Sequence, residues 1–92
     1  MAKKLTIVMV EPHKAPYVTK IDDELSALQK AVGGYIEVVG NGDGTLIICN
    51  EEGKNLELPI NQIFLNKNGT IIDYIAGNYI LCGTDGDDFT SL

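Results

Sequence analysis

The sequence predicts a small α+β domain, in which a mixed or antiparallel β-sheet built from hairpins carries one main helix. Apolar residues follow a helical spacing over residues 22–32, stop at the pair Gly33 and Gly34, and give way at once to strand alternation. The run Asn-Gly-Asp-Gly at residues 41–44 is a hairpin-turn sequence between two strand-like segments. The chain has 92 residues, which is enough for one core and too few for two, so we expect a single domain over 1–92.

The first part of the chain predicts a strand, its return strand and the helix. Residues 5–10 are a short apolar run rich in β-branched side chains, which predicts a central strand buried on both faces. Two prolines interrupt the pattern, and residues 17–21 then alternate, so we expect them to return as the second strand of a hairpin. For the helix over 22–32, Asp22 is the expected N-cap, because its carboxylate can accept a hydrogen bond from the first turn.

The second part of the chain predicts strands separated by turns. Residues 35–39 and 45–49 flank the Asn-Gly-Asp-Gly run and predict an antiparallel pair. Residues 59–65 have an ambiguous period and fit either an extended segment or a short helical turn. Residues 70–75 and 79–82 are strand-like.

The charge of the chain argues against duplex nucleic acid as a partner. The net charge is −6, with seven lysines, no arginine and thirteen acidic residues, and most of the acidity lies in the C-terminal half. Such a field repels a phosphate backbone, and the guanidinium groups that read phosphate and guanine are absent. A basic protein partner, or a small ligand held mostly by backbone groups, remains compatible with this composition.

The cysteines and the apolar segments indicate a reducing compartment. Cys49 and Cys82 both lie in apolar runs, and their separation matches no metal or redox motif, so we expect two buried reduced thiols. The apolar run near the N-terminus is too short for a signal peptide, and no segment approaches the length of a membrane span. We therefore expect a cytoplasmic protein that makes no membrane contact.

Few side chains are suited to chemistry, and we predict neither catalytic residues nor a metal or cofactor. His13 is the only histidine, which excludes paired-histidine metal sites, and an ordinary solvated loop residue is the alternative to a ligand contact. The acidic run at residues 85–88 lacks the glutamate that a calcium loop requires and is typical of a solvated turn.

A ligand or partner site is nevertheless predicted around Tyr17, Tyr35 and Glu37, with His13 at its edge. The tyrosines offer stacking surfaces, although packing at the edge of the core is the alternative for each. Glu37 lies among apolar neighbours in a strand, so its carboxylate must face water or find a partner. The glycine pair places Tyr35 and Glu37 at the start of a strand, which the predicted topology puts beside the loop of His13.

Five segments together resemble one family. They are Val-Glu-Pro at 10–12, the run at 28–37, Asn-Glu-Glu-Gly-Lys at 50–54, Ala-Gly at 76–77 and Asp-Phe-Thr-Ser-Leu at 88–92. The chain thereby resembles a family of small proteins from phages and mobile elements of Gram-positive bacteria, the domain of unknown function 3846. The resemblance implies a genomic setting in a bacterial host and not an activity, so no catalytic residue is carried over from it.

This setting favours a small protein that binds and blocks something of the host, and not an enzyme. The first hypothesis is a counter-defence protein that sequesters a small nucleotide-type molecule in a pocket between protomers. The alternative is an acidic protein-interaction inhibitor that covers a basic surface of a host protein. Because a small binding protein gains a concave site most easily by pairing, we also expect a homo-oligomer.

Overall fold

Strands dominate the structure, a computed structural model that describes residues 3–92. The elements are β1 (Lys4–Val10), β2 (Tyr17–Asp22), α1 (Leu25–Val32), β3 (Ile36–Gly40), β4 (Leu46–Asn50), β5 (Ile60–Leu65), β6 (Ile71–Ala76), β7 (Tyr79–Thr84) and β8 (Phe89–Thr90). The α+β class is confirmed at this level, with a single short helix among the described residues. That helix is too short to cross a membrane, and the described residues hold no other.

The main sheet joins two local hairpins through one strand from the end of the chain. Its order is β2-β1-β7-β4-β3, and β8 pairs with the far end of β7. Every pairing within residues 3–92 is antiparallel. The predicted hairpins β1–β2 and β3–β4 are therefore confirmed, and the antiparallel alternative holds for the sheet.

The helix covers one face of the main sheet only. Leu5 and Ile7 of β1 point to this face and pack with Leu28 and Val32 of α1 in the larger core cluster. The central position of β1 is confirmed, whereas its burial on both faces is only partly correct. On the opposite face Thr6 and Val8 are half-buried and Val10 alone is buried, because the described residues hold no second helix to cover this face.

A smaller core cluster lies on the face opposite the helix. Val10 of β1, Ile47 and Cys49 of β4 and Tyr79 of β7 pack there against Ile75 of β6. Cys49 belongs to this cluster, while Cys82 belongs to the cluster under the helix. Both thiols are free and buried, as predicted.

The start of the helix differs from its prediction. Helix α1 begins at Leu25, and Asp22 is the last residue of β2, where it pairs with Lys4 across the hairpin. The Lys4 Nζ lies 2.7 Å from the Asp22 Oδ1, so this carboxylate is an ion-pair partner and not an N-cap. Glu24 occupies the N-cap position without a side-chain hydrogen bond. Continued ladder pairing outcompetes the local capping signal.

The end of the helix follows the prediction. Gly33 has φ +82°, the left-handed conformation that closes a helix, and its N–H donates to the Gln29 carbonyl at 2.8 Å. The next strand begins three residues later. The glycine pair therefore acts as the junction that its sequence predicts.

Strands β5 and β6 form a separate two-stranded sheet, which we call the arm (residues 60–76). The ambiguous segment 59–65 is thus a strand. The register shows one extra residue on each strand, Asn61 near the root of the arm and Ile72 near its tip. Only the inner face of the arm, through Phe64 and Ile75, packs against the main sheet.

The acidic tail continues the main sheet, although the sequence analysis assigns no element to it. Thr84 pairs with Phe89 and Gly83 with Thr90. The Thr6 N–H then donates to the Ser91 hydroxyl at 2.8 Å, and the Leu92 N–H donates to the Thr6 carbonyl at 3.0 Å. The tail therefore occupies the stretch beside β1 that β7 leaves open.

Candidate functional site

The structure places the predicted site residues in different parts of the molecule. Tyr17 begins β2 and Glu37 lies on β3, and these are the two edge strands of the five-strand path. Four strand spacings separate the edges, a distance of about 19 Å. Tyr35 is exposed immediately before β3. The site therefore does not converge as the sequence analysis expects, because β1, β7 and β4 lie between the two edge strands.

Glu37 lines a cleft between the main sheet and the arm, which we call the acidic cleft. Its volume is about 170 Å³, and its walls include the carboxylates of Glu37, Glu51 and Asp73. Lys54 supplies the ammonium group in this cleft, pairs with Asp73 and lies 4.7 Å from the centroid of the Tyr74 ring. The hydrogen bond from Lys54 to the Asp73 carboxylate raises the pKa of Lys54 and lowers the pKa of Asp73.

Cys49 lies at the floor of the acidic cleft and is unsuited to nucleophilic chemistry. Its Sγ donates to the Glu37 Oε1 at 3.8 Å. Burial, and then the nearby Glu37 carboxylate, raise the pKa of the Cys49 thiol to about 11. Since the thiolate is the nucleophile, this thiol stays in its unreactive form at neutral pH.

His13 lines a second and larger groove, which we call the basic cleft. Its volume is about 450 Å³. Three segments form its walls: residues 11–14 of the loop between β1 and β2, residues 30–33 at the end of α1, and the root of the arm at residues 58–59 and 77–78. His13, Lys14 and Lys30 are its nitrogen-bearing basic side chains, and Glu11 is its carboxylate.

The loop between β1 and β2 is a tight turn that exposes its basic side chains. The Lys14 N–H donates to the Glu11 carbonyl at 3.3 Å, and His13 inside this turn has φ +62°. The Lys14 Nζ lies 3.8 Å from the Glu11 Oε1, a contact at the limit of an ion pair. Lys14 and His13 are both exposed, so a ligand can reach them.

At the opposite wall, the carbonyl end of α1 is capped by side-chain amides. The Asn78 Nδ2 donates to the Ala31 carbonyl at 3.3 Å, and the Asn50 Nδ2 donates to the Val32 carbonyl at 3.1 Å. These donors satisfy carbonyl groups that would otherwise present negative partial charge to the cleft. The Lys30 ammonium, which makes no ion pair within residues 3–92, is therefore the dominant charge of this wall.

The third wall is held in place by the bulge residue Asn61. Its Nδ2 donates to the Val10 carbonyl at 3.0 Å and to the Gly77 carbonyl at 2.9 Å, which ties the root of the arm to the end of β1. Gly77 has φ +88°, and a side chain there would come within 2.7 Å of Leu58. The shape of the basic cleft therefore depends on this glycine and this amide.

Comparison with known proteins gives one match. The family described as Domain of unknown function (DUF3846) matches residues 4–92. The chain belongs to this family. No curated protein and no solved structure shows significant similarity to it. Membership confirms the resemblance drawn from the sequence segments and assigns no activity to the DUF3846 domain.

Three of the five segments on which the DUF3846 resemblance rests meet at the basic cleft. Glu11 and Pro12 come from the first segment, residues 30–33 from the second, and Gly77 from the fourth. The sequence analysis names His13 in this cleft but misses Lys14 and Lys30. Lys14 was detectable as the neighbour of His13, whereas only the fold brings Lys30 near them. A role for Tyr17, Tyr35 or Glu37 in binding stays a prediction.

Proposed function

We propose that this DUF3846 protein binds a small anionic molecule of the nucleotide type in the basic cleft and sequesters it without turnover. The observation that carries the proposal is the clustering of Lys14, Lys30 and His13 around one groove in a chain of net charge −6. In such a chain, a local concentration of basic groups is the feature that would attract an anion.

The dimensions and the lining of the basic cleft support this ligand class. Its volume of about 450 Å³ falls within the roughly 300–1,000 Å³ that is usual for small-molecule sites. Pro12, Leu58 and Pro59 provide apolar surface for a base or sugar. Lys14 and Lys30, on opposite walls, would donate charge-assisted hydrogen bonds to the phosphate oxygens.

Binding without turnover is favoured by the side chains of the same cleft. Among its described lining residues there is no serine, threonine or cysteine that His13 could activate. The proposal includes the setting that the family resemblance suggests, namely a phage or mobile-element protein that acts in the bacterial cytoplasm against host defence. Sequestration requires affinity and abundance, and these need no catalytic group.

The test combines native mass spectrometry with a matched charge variant. Protein purified from bacterial lysate is expected to retain a small molecule of nucleotide-type mass, and titration calorimetry with adenosine diphosphate and a cyclic dinucleotide probes the class directly. Lys30→Gln should weaken binding by about tenfold or more through loss of a charge-assisted contact. Lys20→Gln, which removes a lysine outside both clefts, is the control. Equal affinity of both variants, or no binding by the wild type, would contradict the proposal.

A second candidate function is an acidic inhibitor of a host protein, and the acidic cleft supports it. Lys54 already shows how a cationic side chain is held there, by Asp73 and the face of Tyr74. A lysine from a partner could be recognised in the same way beside Glu37 and Glu51. In the native mass spectrum this alternative predicts a co-purifying protein that Glu37→Gln loses and Lys30→Gln keeps.

A further inference from the structure

The arm carries apolar side chains on a face that the rest of the described chain leaves exposed. Phe64 packs inward on the main sheet, so its neighbours Ile63 and Leu65 alternate to the outer face. Ile71 pairs with Leu65 in the register and shares that face. Exposed fractions of 44% for Ile63, 57% for Leu65 and 60% for Ile71 leave these side chains in water. In an antiparallel sheet, the face of a strand that contacts solvent normally carries polar residues instead.

Two more aliphatic side chains of the arm are exposed to solvent. At the root and the tip, Ile60 and Ile72 are also more than half exposed, at 54% and 63%. The arm therefore exposes five large aliphatic side chains, a composition that marks an interaction surface.

Charge identifies which partner can approach this surface. Residues 60–76 contain one lysine and one aspartate, so the arm has no net charge within a chain of −6. The aspartate, Asp73, also forms an ion pair with Lys54, which lies outside the arm. Two copies of an acidic protein repel each other at their acidic surfaces, and the neutral arm is a place where they can meet without that repulsion. A basic partner, by contrast, would be drawn to the acidic surfaces and not to a neutral aliphatic one.

We propose that two copies of this chain associate through the outer faces of their arms. The contact is isologous: Ile63, Leu65 and Ile71 of one copy pack on the same residues of the other about a two-fold axis. The two arms then form a small sheet-on-sheet layer that buries the aliphatic side chains on both sides. This inference is independent of the ligand proposed for the basic cleft.

Sedimentation velocity tests the contact with a charge variant and a matched control. Wild-type protein at tens of micromolar is expected to be a dimer, and Leu65→Lys should raise its dissociation constant by about tenfold or more, since each dimer then buries two charges. The control is Leu25→Lys, because Leu25 is 58% exposed on the helix and outside the arm. A monomeric wild type, or equal dissociation of both variants, would overturn the proposal.

Cross-linking tests the geometry separately from the affinity. Both native cysteines are buried, so a cysteine introduced at Ile71 is the accessible thiol of its variant. A short bismaleimide should join two copies of Ile71→Cys across the two-fold axis and should leave Val18→Cys, on the main sheet, as single chains. Efficient cross-linking of Val18→Cys, or none of Ile71→Cys in a sample that sediments as a dimer, would place the interface elsewhere and refute the arm contact.

Discussion

Replacing Asn50 by alanine should be among the most damaging single changes in this fold. Asn50 is only 6% exposed, its Nδ2 donates to the Val32 carbonyl at 3.1 Å, and its Oδ1 accepts from the Glu52 N–H at 2.8 Å. Asn50→Ala leaves the buried Val32 carbonyl without this donor, at a cost of about 1–3 kcal/mol, and removes a second hydrogen bond worth about 1 kcal/mol. The expected loss is roughly 2–4 kcal/mol, which lowers the melting temperature by roughly 10–25 °C.

Urea unfolding followed by circular dichroism measures this loss. The midpoint should fall with an unchanged slope, because the variant retains the same core. Asn55→Ala is the control, since Asn55 is exposed in the turn that follows and makes no side-chain hydrogen bond within residues 3–92. A loss below about 0.5 kcal/mol for Asn50→Ala, the range of an ordinary surface change, would refute the reasoning.

A double-mutant cycle with Gly34 tests the same contact from the other side. A side chain at Gly34 would lie 2.9 Å from the Asn50 Nδ2, so Gly34→Ala must displace the amide. The substitution should therefore cost less stability in the Asn50→Ala background than in the wild type, with an interaction energy of about 0.5–3 kcal/mol. Additive losses would show that the two residues do not act through one contact.

Three further predictions concern the thiols and the acidic cleft. Because burial raises the pKa of Cys49 from its ordinary value near 9 to about 11, the folded state holds its proton more tightly. Stability should therefore fall between pH 9 and pH 11, and Cys49→Ala should flatten that decline in urea titrations; parallel curves would contradict it. A maleimide should label Cys49 and Cys82 slowly until urea unfolds the chain, and rapid stoichiometric labelling would show exposed thiols. Lys54→Gln should raise the carboxyl pKa of Asp73 in a ¹³C titration, since the hydrogen bond from Lys54 lowers it, and an unchanged titration would exclude that pairing.

The parts of the fold that were predictable from sequence are those that local signals specify. Gly33, and Gly42 and Gly44 of the turn at 41–44, have the positive φ angles that favour glycine, and they end the helix and form the hairpin as expected. The start of the helix was not predictable from Asp22, because its pairing with Lys4 depends on a strand eighteen residues away. The pairing of the tail with β7 and β1 depends on equally distant partners.

The candidate site shows the same division. His13 stood out as the only histidine, and the structure places it in the larger cleft. The convergence of Lys14 and Lys30 could not be deduced from spacing, because the end of α1 reaches the loop only after the sheet has formed. For Glu37 the sequence left two outcomes open, a carboxylate that faces water or one that finds a partner. The residue is exposed, and its carboxylate also accepts from the Cys49 thiol through the register of β3 and β4. In each case the chemistry of the residue could be interpreted from the sequence, whereas the residues that contact it could not be predicted.

The position of β7 between the two hairpins has a consequence for the order of folding. β1–β2 and β3–β4 each close over a short stretch of chain, whereas β7 joins β1 across pairs as distant as Val8 and Leu81. Closing so long a loop is slow, and neither hairpin has a complete apolar face until it happens. The two hairpins are thus early and weakly held units, and β7 makes them one cooperative structure. Its amide hydrogens should exchange with solvent only when the whole domain unfolds.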